Sequence, residues 1–208
     1  MGLELRQAML INGILYNSEA WQSISDDEFK QLELIDNHIL RKILGAHSKT
    51  STSFLHLETG TIPIRFVIAN RRLVFYYNIM SKPGSELIKR VFNAQKDNPT
   101  KGDWYHTIKS EFELIMEDIG DYDEQTIKSM KFSSYKKFIK KKIREAAFKF
   151  LQSDKSSKSK VKDIEYKKLA PQKYIKSNQF TNDEVQLLAR LRSRNTSVKD
   201  NFSRMHEE

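Results

Sequence analysis

Apolar residues recur at spacings of three and four along most of this chain, and that period predicts helices. Leu3 to Trp21 reads as a largely apolar helix centred on Leu10, Ile14 and Leu15. Ser25-Asp26-Asp27-Glu28 is a capping box, in which the serine hydroxyl covers an orphan amide and Glu28 reaches back. Phe29, Leu32, Ile35, Ile39 and Ile43 then form one stripe for burial, and Gly45 is a stop signal. Thr50 to Ser53 offers the next cap, for a short helix from Phe54 to Glu58 that Gly60 ends. Pro63 suits the first turn of a longer helix reaching about Met80, because no partner is needed there for an amide. That helix is apolar on most sides, which predicts a central position, and Lys82-Pro83-Gly84 closes it.

The second half changes character. Ser85 caps a short helix through Phe92, Asn98 to Gly102 is a loop, and Asp103 caps a helix with Trp104, Ile108, Phe112, Ile115 and Ile119 on one face. Ser133 or Ser134 caps a basic helix whose apolar face is Tyr135, Phe138, Ile139, Ile143, Ala146, Ala147 and Phe150. Lys137, Lys140, Lys141 and Arg144 gather on the opposite side. Ser153 to Lys160 is poor in apolar residues and rich in Ser and Lys, the composition of a mobile linker. Thr181-Asn182-Asp183-Glu184 is a second capping box, followed by Val185, Leu188 and Leu191. No internal repeat occurs. The expected fold is all-α, an irregular helical bundle with a basic helical extension and a frayed carboxy-terminal tail. Its expected parts are a core over residues 1–120, the extension over 121–152, a Lys/Ser-rich linker over 153–180, and a final helix and tail over 181–208.

Composition supports helices and narrows the chemistry. Only 7 Gly and 4 Pro occur in 208 residues, and 38% of residues are apolar, enough for a core but lean for one globule. Cysteine is absent, which excludes disulfides, thiolate zinc sites and cysteine nucleophiles, and fits an intracellular protein. Glu4 and Arg6 break the first apolar stretch, so no signal peptide is read there. Asn70, Arg71 and Arg72 cut the richest apolar run, Phe66 to Met80, well short of the roughly 18 residues of a membrane span, so no membrane partner is expected.

The net charge is +9, and it is concentrated. Residues 131–176 hold 16 basic and 4 acidic side chains, whereas residues 1–130 hold 15 and 18. Lys136, Lys137, Lys140, Lys141, Lys142 and Arg144 form a cationic ridge whose members repel at i, i+4 by a few tenths of a kcal/mol per pair. A polyanion relieves that repulsion, so the ridge is a candidate for nucleic-acid phosphates. A plain solvated helix face and a nuclear localisation signal are the other readings of the same run. Tyr135 and Phe138 read as core rather than as stacking platforms. Arg71 and Arg72 fall in the middle of an apolar helix, where a core ion pair with Glu19 or Glu58 competes with a phosphate contact.

Other chemistry is poorly represented. Asp26-Asp27 has the composition of a metal-binding carboxylate pair but lies in a helix cap, and Asp121-Tyr122-Asp123-Glu124 reads as a turn and cap. His38, His47, His56, His106 and His206 show no ligand spacing, and no glycine-rich loop could cradle a phosphate. No catalytic residue, metal or cofactor is therefore expected.

The order of motifs over residues 3–75 resembles the segment that follows the catalytic palm in reverse transcriptases of non-LTR retrotransposons. Leu15-Tyr16-Asn17-Ser18-Glu19-Ala20-Trp21 is similar to that family's Tyr-Gly-Ser-Glu-x-Trp motif, with Asn17 where glycine is usual. Leu40-Arg41-Lys42-Ile43-Leu44 matches a Leu-Arg-x-Ile-Leu pattern. Leu57-Glu58-Thr59-Gly60-Thr61-Ile62-Pro63, with Arg71-Arg72-Leu73 downstream, matches a Leu-Glu-x-Gly-x-x-Pro stretch and its Arg-Arg-Leu. The resemblance implies structural roles for Tyr16, Glu19, Trp21, Leu40, Arg41, Glu58, Gly60 and Pro63. It implies a thumb and post-thumb region gripping template RNA and primer. The family's fingers, its palm with paired aspartates and its Cys/His cluster are missing, so no polymerase activity is expected of this chain alone. The missing palm is the protein partner that the resemblance implies, and Met1-Gly2 opening onto this region points to a remnant reading frame or to an engineered fragment. The expected function is binding of RNA or an RNA–DNA hybrid through Lys136, Lys137, Lys140, Lys141 and Arg144, with Arg71 and Arg72 as further candidates. A helical protein-interaction piece with a merely solvated basic face is the alternative.

Overall fold

The computed structural model describes residues 2–116, 124–158, 160–177 and 179–194, and the regular elements among them are all helical. The fold is all-α, as the periodicity predicts. Helix α1 (Gly2–Leu5) widens into a π-helix over Arg6–Ile14, and a 3-10 turn follows at Ser18–Ala20. Then come α2 (Asp26–Leu44), α3 (Thr52–Thr59), α4 (Ile64–Met80), α5 (Leu87–Asp97) and α6 (Trp104–Ile115). The remaining helices are α7 (Glu124–Ser129), α8 (Phe132–Ser156), α9 (Lys173–Lys176) and α10 (Asn182–Arg192). Ile119, Asp121 to Asp123 and the tail from Asn195 lie outside the described residues.

Local chemistry sets many of these boundaries. The Ser25 amide donates to Glu28 Oε2 at 2.8 Å and the Glu28 amide to Ser25 Oγ at 3.3 Å, so the first capping box forms and α2 starts at Asp26. Asp103 accepts from the His106 amide at 2.6 Å, and Thr181 and Glu184 cap α10 reciprocally. The Pro63 carbonyl accepts the first amides of α4, from Phe66 and Val67. Helix α8 starts at Phe132, one residue ahead of the serines expected to cap it. The single helix expected over Leu3 to Trp21 is broken instead. Asn17 sits at φ 57°, a left-handed conformation that asparagine tolerates better than most side chains, and this turns the chain after the π-helix.

The chain forms two compact units, which differ from the four consecutive parts the sequence suggests. The first combines residues 1–10, 33–62 and 148–208. Its core is Leu40, Leu44, Phe54, Leu55, Val161 and Ala189, with Leu3, Ile43, Ile164 and Ile175 around it. The described residues of 153–180 are therefore not a free linker. Residues up to Ser156 belong to α8, and Val161, Tyr166 and Leu169 are buried. The Lys155 ammonium, which composition assigned to solvent, donates to the carbonyls of Lys162 at 2.7 Å and Ile164 at 2.5 Å. The buried side of α2 is also rotated from the expected stripe: Asp36, Asn37, Leu40 and Leu44 face inward, while Ile35 is 42% exposed. Arg6 is the reason. It grips Asp36 through Nε to Oδ1 at 2.5 Å and Nη2 to Oδ2 at 2.7 Å, and so draws a carboxylate inside.

The second unit combines residues 11–32 and 63–147. Helix α4 is its centre and packs against the Ser18–Ala20 turn, α5, α6 and α7. The Tyr76 ring meets Phe92 and Phe112 edge-on, each at 5.6 Å, and Phe75 meets Trp104 at 5.8 Å. Helix α5 is turned against its own pattern. Lys89 is buried with Nζ 2.9 Å from Met80 Sδ, and burial pushes its ammonium pKa down, while Leu87, Ile88 and Val91 are exposed.

Candidate nucleic-acid interface

Helix α8 carries the basic ridge on residues 136–144, all within the second unit. Tyr135, Ile139, Ile143 and, one turn on, Ala147 are at most 1% exposed, and this spacing of four sets one face inward. Tyr135 anchors that face by donating its hydroxyl to the Leu73 carbonyl at 2.9 Å. Burial raises the Tyr135 phenol pKa. It is a core residue, as its position in the apolar stripe predicts; Phe138 is half-buried and lies beneath Lys142, whose Nζ is 5.8 Å from the ring centre. Lys136, Lys137, Lys140 and Lys141 are exposed, and Lys142 and Arg144 are half-buried. Lys141 reaches Glu145 at only 3.9 Å, both largely in solvent, so that pair neutralises little. From Lys136 to Arg144 the helix rises about 12 Å. That is the axial run of about three to four phosphates on one strand.

Arg71 and Arg72 do not join this ridge. Arg72 is 2% exposed and donates to Glu111 Oε1 at 2.7 Å and to the carbonyls of Trp21 at 3.1 Å and Gln22 at 2.7 Å. Burial raises the Glu111 pKa and the adjacent guanidinium opposes that shift. The acidic partner is thus Glu111, not Glu19 or Glu58, and the enclosed Arg72 guanidinium is not available to phosphate. Arg71 is spent on the backbone: Nη2 donates to the Ile11 carbonyl at 2.5 Å and Nη1 to that of Leu15. The reason is one of accounting for carbonyls. A π-helix that ends at Ile14 and an irregular stretch after it leave acceptors without helical donors. Arg71, Arg72 and the Trp104 indole, which donates to the Glu19 carbonyl at 2.9 Å, supply them. Two motifs that the sequence shows separately, Tyr16 to Trp21 and Arg71-Arg72-Leu73, are therefore one hydrogen-bonded assembly. Trp21 is half-buried there, and Tyr16 is 78% exposed.

The other motif residues fall in the first unit, apart from Pro63. Leu40 is core, and Arg41 donates to the Thr50 carbonyl at 3.3 Å. Glu58 is fully buried and is the centre of a polar knot. Its Oε1 accepts from the Tyr166 hydroxyl at 2.6 Å and from Arg192 Nε at 2.8 Å, and its Oε2 accepts from the Tyr174 hydroxyl at 2.6 Å. Burial raises both phenol pKa values, and the neighbouring carboxylate adds to this. No spacing in the sequence links Tyr166, Tyr174 or Arg192 to Glu58, which lies more than a hundred positions away. Gly60, at φ 64°, brings the backbone against Ala170 and Pro171. Among the described residues no three His, Asp or Glu side chains converge as a metal site requires, and no helix is long and apolar enough to cross a membrane. No protein-family model matches the chain, and no curated protein or solved structure matches it significantly.

Proposed function

We propose that this chain is a non-catalytic part of a non-LTR retrotransposon reverse transcriptase that binds RNA or an RNA–DNA hybrid along α8. The observation that carries this reading is the division of α8 into two faces. Tyr135, Ile139, Ile143 and Ala147 fasten the helix to its unit, and Lys136, Lys137, Lys140 and Lys141 remain in solvent with their charge little compensated. Arg144 extends the row toward the next turn. Such a helix is rigid enough to present a charge pattern, and it needs no rearrangement to receive a strand. Lysines engage phosphates rather than base edges, so the ridge itself selects little by sequence. Template and primer are the partners this reading names, with the polymerase palm as the neighbouring protein region, and the same lysines serve a nuclear address. Polymerase chemistry is not assigned to these residues.

One observation favours a protein-docking role instead: Leu87, Ile88 and Val91 lie exposed on α5. The test separates the two. At about 50 mM salt, Lys137→Glu with Lys141→Glu lowers affinity for single-stranded RNA by at least tenfold on this account, with the circular dichroism spectrum unchanged. Equal affinity of the variant and the parent chain returns the ridge to a solvated surface and leaves α5 as the better lead.

A further inference from the structure

A cleft of about 510 Å³ opens in the second unit between the Tyr16–Glu19 stretch and the outer side of α4. Its walls carry Val74 and Phe75, the Asn70 amide, Glu19, the exposed Tyr16 ring and, from the ridge, Lys136. Asn12, Asn17 and Asn78 complete the lining. Two features set the chemistry. Amide side chains offer both donors and acceptors in fixed geometry, which suits the edge of a base. The Glu19 carboxylate repels phosphate and accepts from N–H groups, whereas Arg71, the cation beside it, is taken up by backbone carbonyls.

From these features we infer that the cleft holds one unpaired nucleotide of the bound strand, its base inward and its phosphate on Lys136. This deepens, and rests on, the reading of α8 as a phosphate track, because Lys136 belongs to both. The volume lies within the range of small-ligand sites. Tyr16 provides a ring on which the base stacks, and its exposure in the free protein leaves that face available. The Glu19 carboxylate, an acceptor only, selects a base edge that presents an exocyclic amine. Cytosine, adenine and guanine each present one, and uracil does not. Uracil presents a single N–H flanked by two carbonyl oxygens, and a carboxylate opposes those oxygens. The site therefore adds base preference to a ridge that has none of its own.

The experiment compares single-stranded oligocytidylate and oligouridylate of equal length with the full chain at fixed salt. Cytosine and uracil have the same ring size and differ in the edge they present. The account expects oligocytidylate to bind about tenfold more tightly, in line with one good base-edge contact. Glu19→Gln removes most of that difference, and Tyr16→Ala weakens oligocytidylate binding without changing its salt dependence. Tyr16 is exposed enough for its loss to leave the fold intact, which circular dichroism checks. Equal binding of the two oligonucleotides, or a preference that survives both substitutions, overturns the cleft and leaves the phosphate track standing. Failure of both oligonucleotides to bind overturns the cleft and the phosphate track together.

Discussion

His56 is the residue whose ionisation most clearly tests the interior of the first unit. It is 5% exposed, its Nδ1 lies 2.9 Å from the Thr61 hydroxyl, and burial lowers its pKa from 6.5 to about 4. Asp36 pulls the value up and Arg6 pushes it down, so the ion pair beside it largely cancels and desolvation decides. The unfolded chain takes up this proton below about pH 6.5, while the native chain resists until about pH 4. Stability is thus full above 6.5, is lost as pH falls through that window, and levels off below it. The drop is on the order of 3 kcal/mol. Urea unfolding of His56→Gln at several pH values should show a flatter profile between pH 6.5 and 4 than the parent chain. Parallel profiles would contradict the burial assigned to this ring. Glu58 and Arg72 are buried charges of another kind: each is matched by several partners, and each specifies which segments meet rather than adding large net stability.

At the scale of elements, what was legible is what is local. The capping boxes at Ser25 and Thr181, the Asp103 cap, the Gly60 stop and the helix after Pro63 all depend on side chains within a few residues of the backbone they serve. Four features were not legible, because their causes are remote in sequence. The π-helix at Arg6–Ile14 leaves carbonyls that Arg71 covers from about sixty residues away. The buried side of α2 follows the pairing of Asp36 with Arg6, not the apolar stripe. Ser/Lys-rich composition at 153–160 signals solvent, yet Lys155 is enclosed by two carbonyls. Tyr166 and Tyr174 converge on Glu58 across the whole first unit. This packing makes Gly60 critical. A Cβ there would stand 2.1 Å from the Pro171 nitrogen, on a backbone already at φ 64°. Gly60→Ala should cost at least about 2–4 kcal/mol by denaturant midpoint. Gly84→Ala, where a Cβ meets nothing within 4 Å, should cost almost nothing. Equal effects of the two would mean that residues 170–171 do not lie on α3.

Across the whole molecule, charge is separated from stability. Arg6–Asp36, Arg72–Glu111 and Arg192–Glu58 are ion pairs within the units, and the excess of Lys and Arg lies in residues 131–176, with its densest run on the outer face of α8. The ridge and its charge were readable from spacing alone. The cleft that adjoins it was not, since it depends on the broken backbone at Asn17 and on the side of α4 that the Tyr16–Glu19 stretch leaves open. The central claim is that this outer face lies along a phosphate strand. The most direct measurement is the affinity of the full chain for single-stranded RNA from about 50 to 200 mM salt. With four exposed lysines engaged, the logarithm of the association constant should fall with the logarithm of salt at a slope of roughly −3. Lys137→Glu with Lys141→Glu should at least halve that slope. A slope near zero, or one that the double substitution leaves unchanged, would contradict the account.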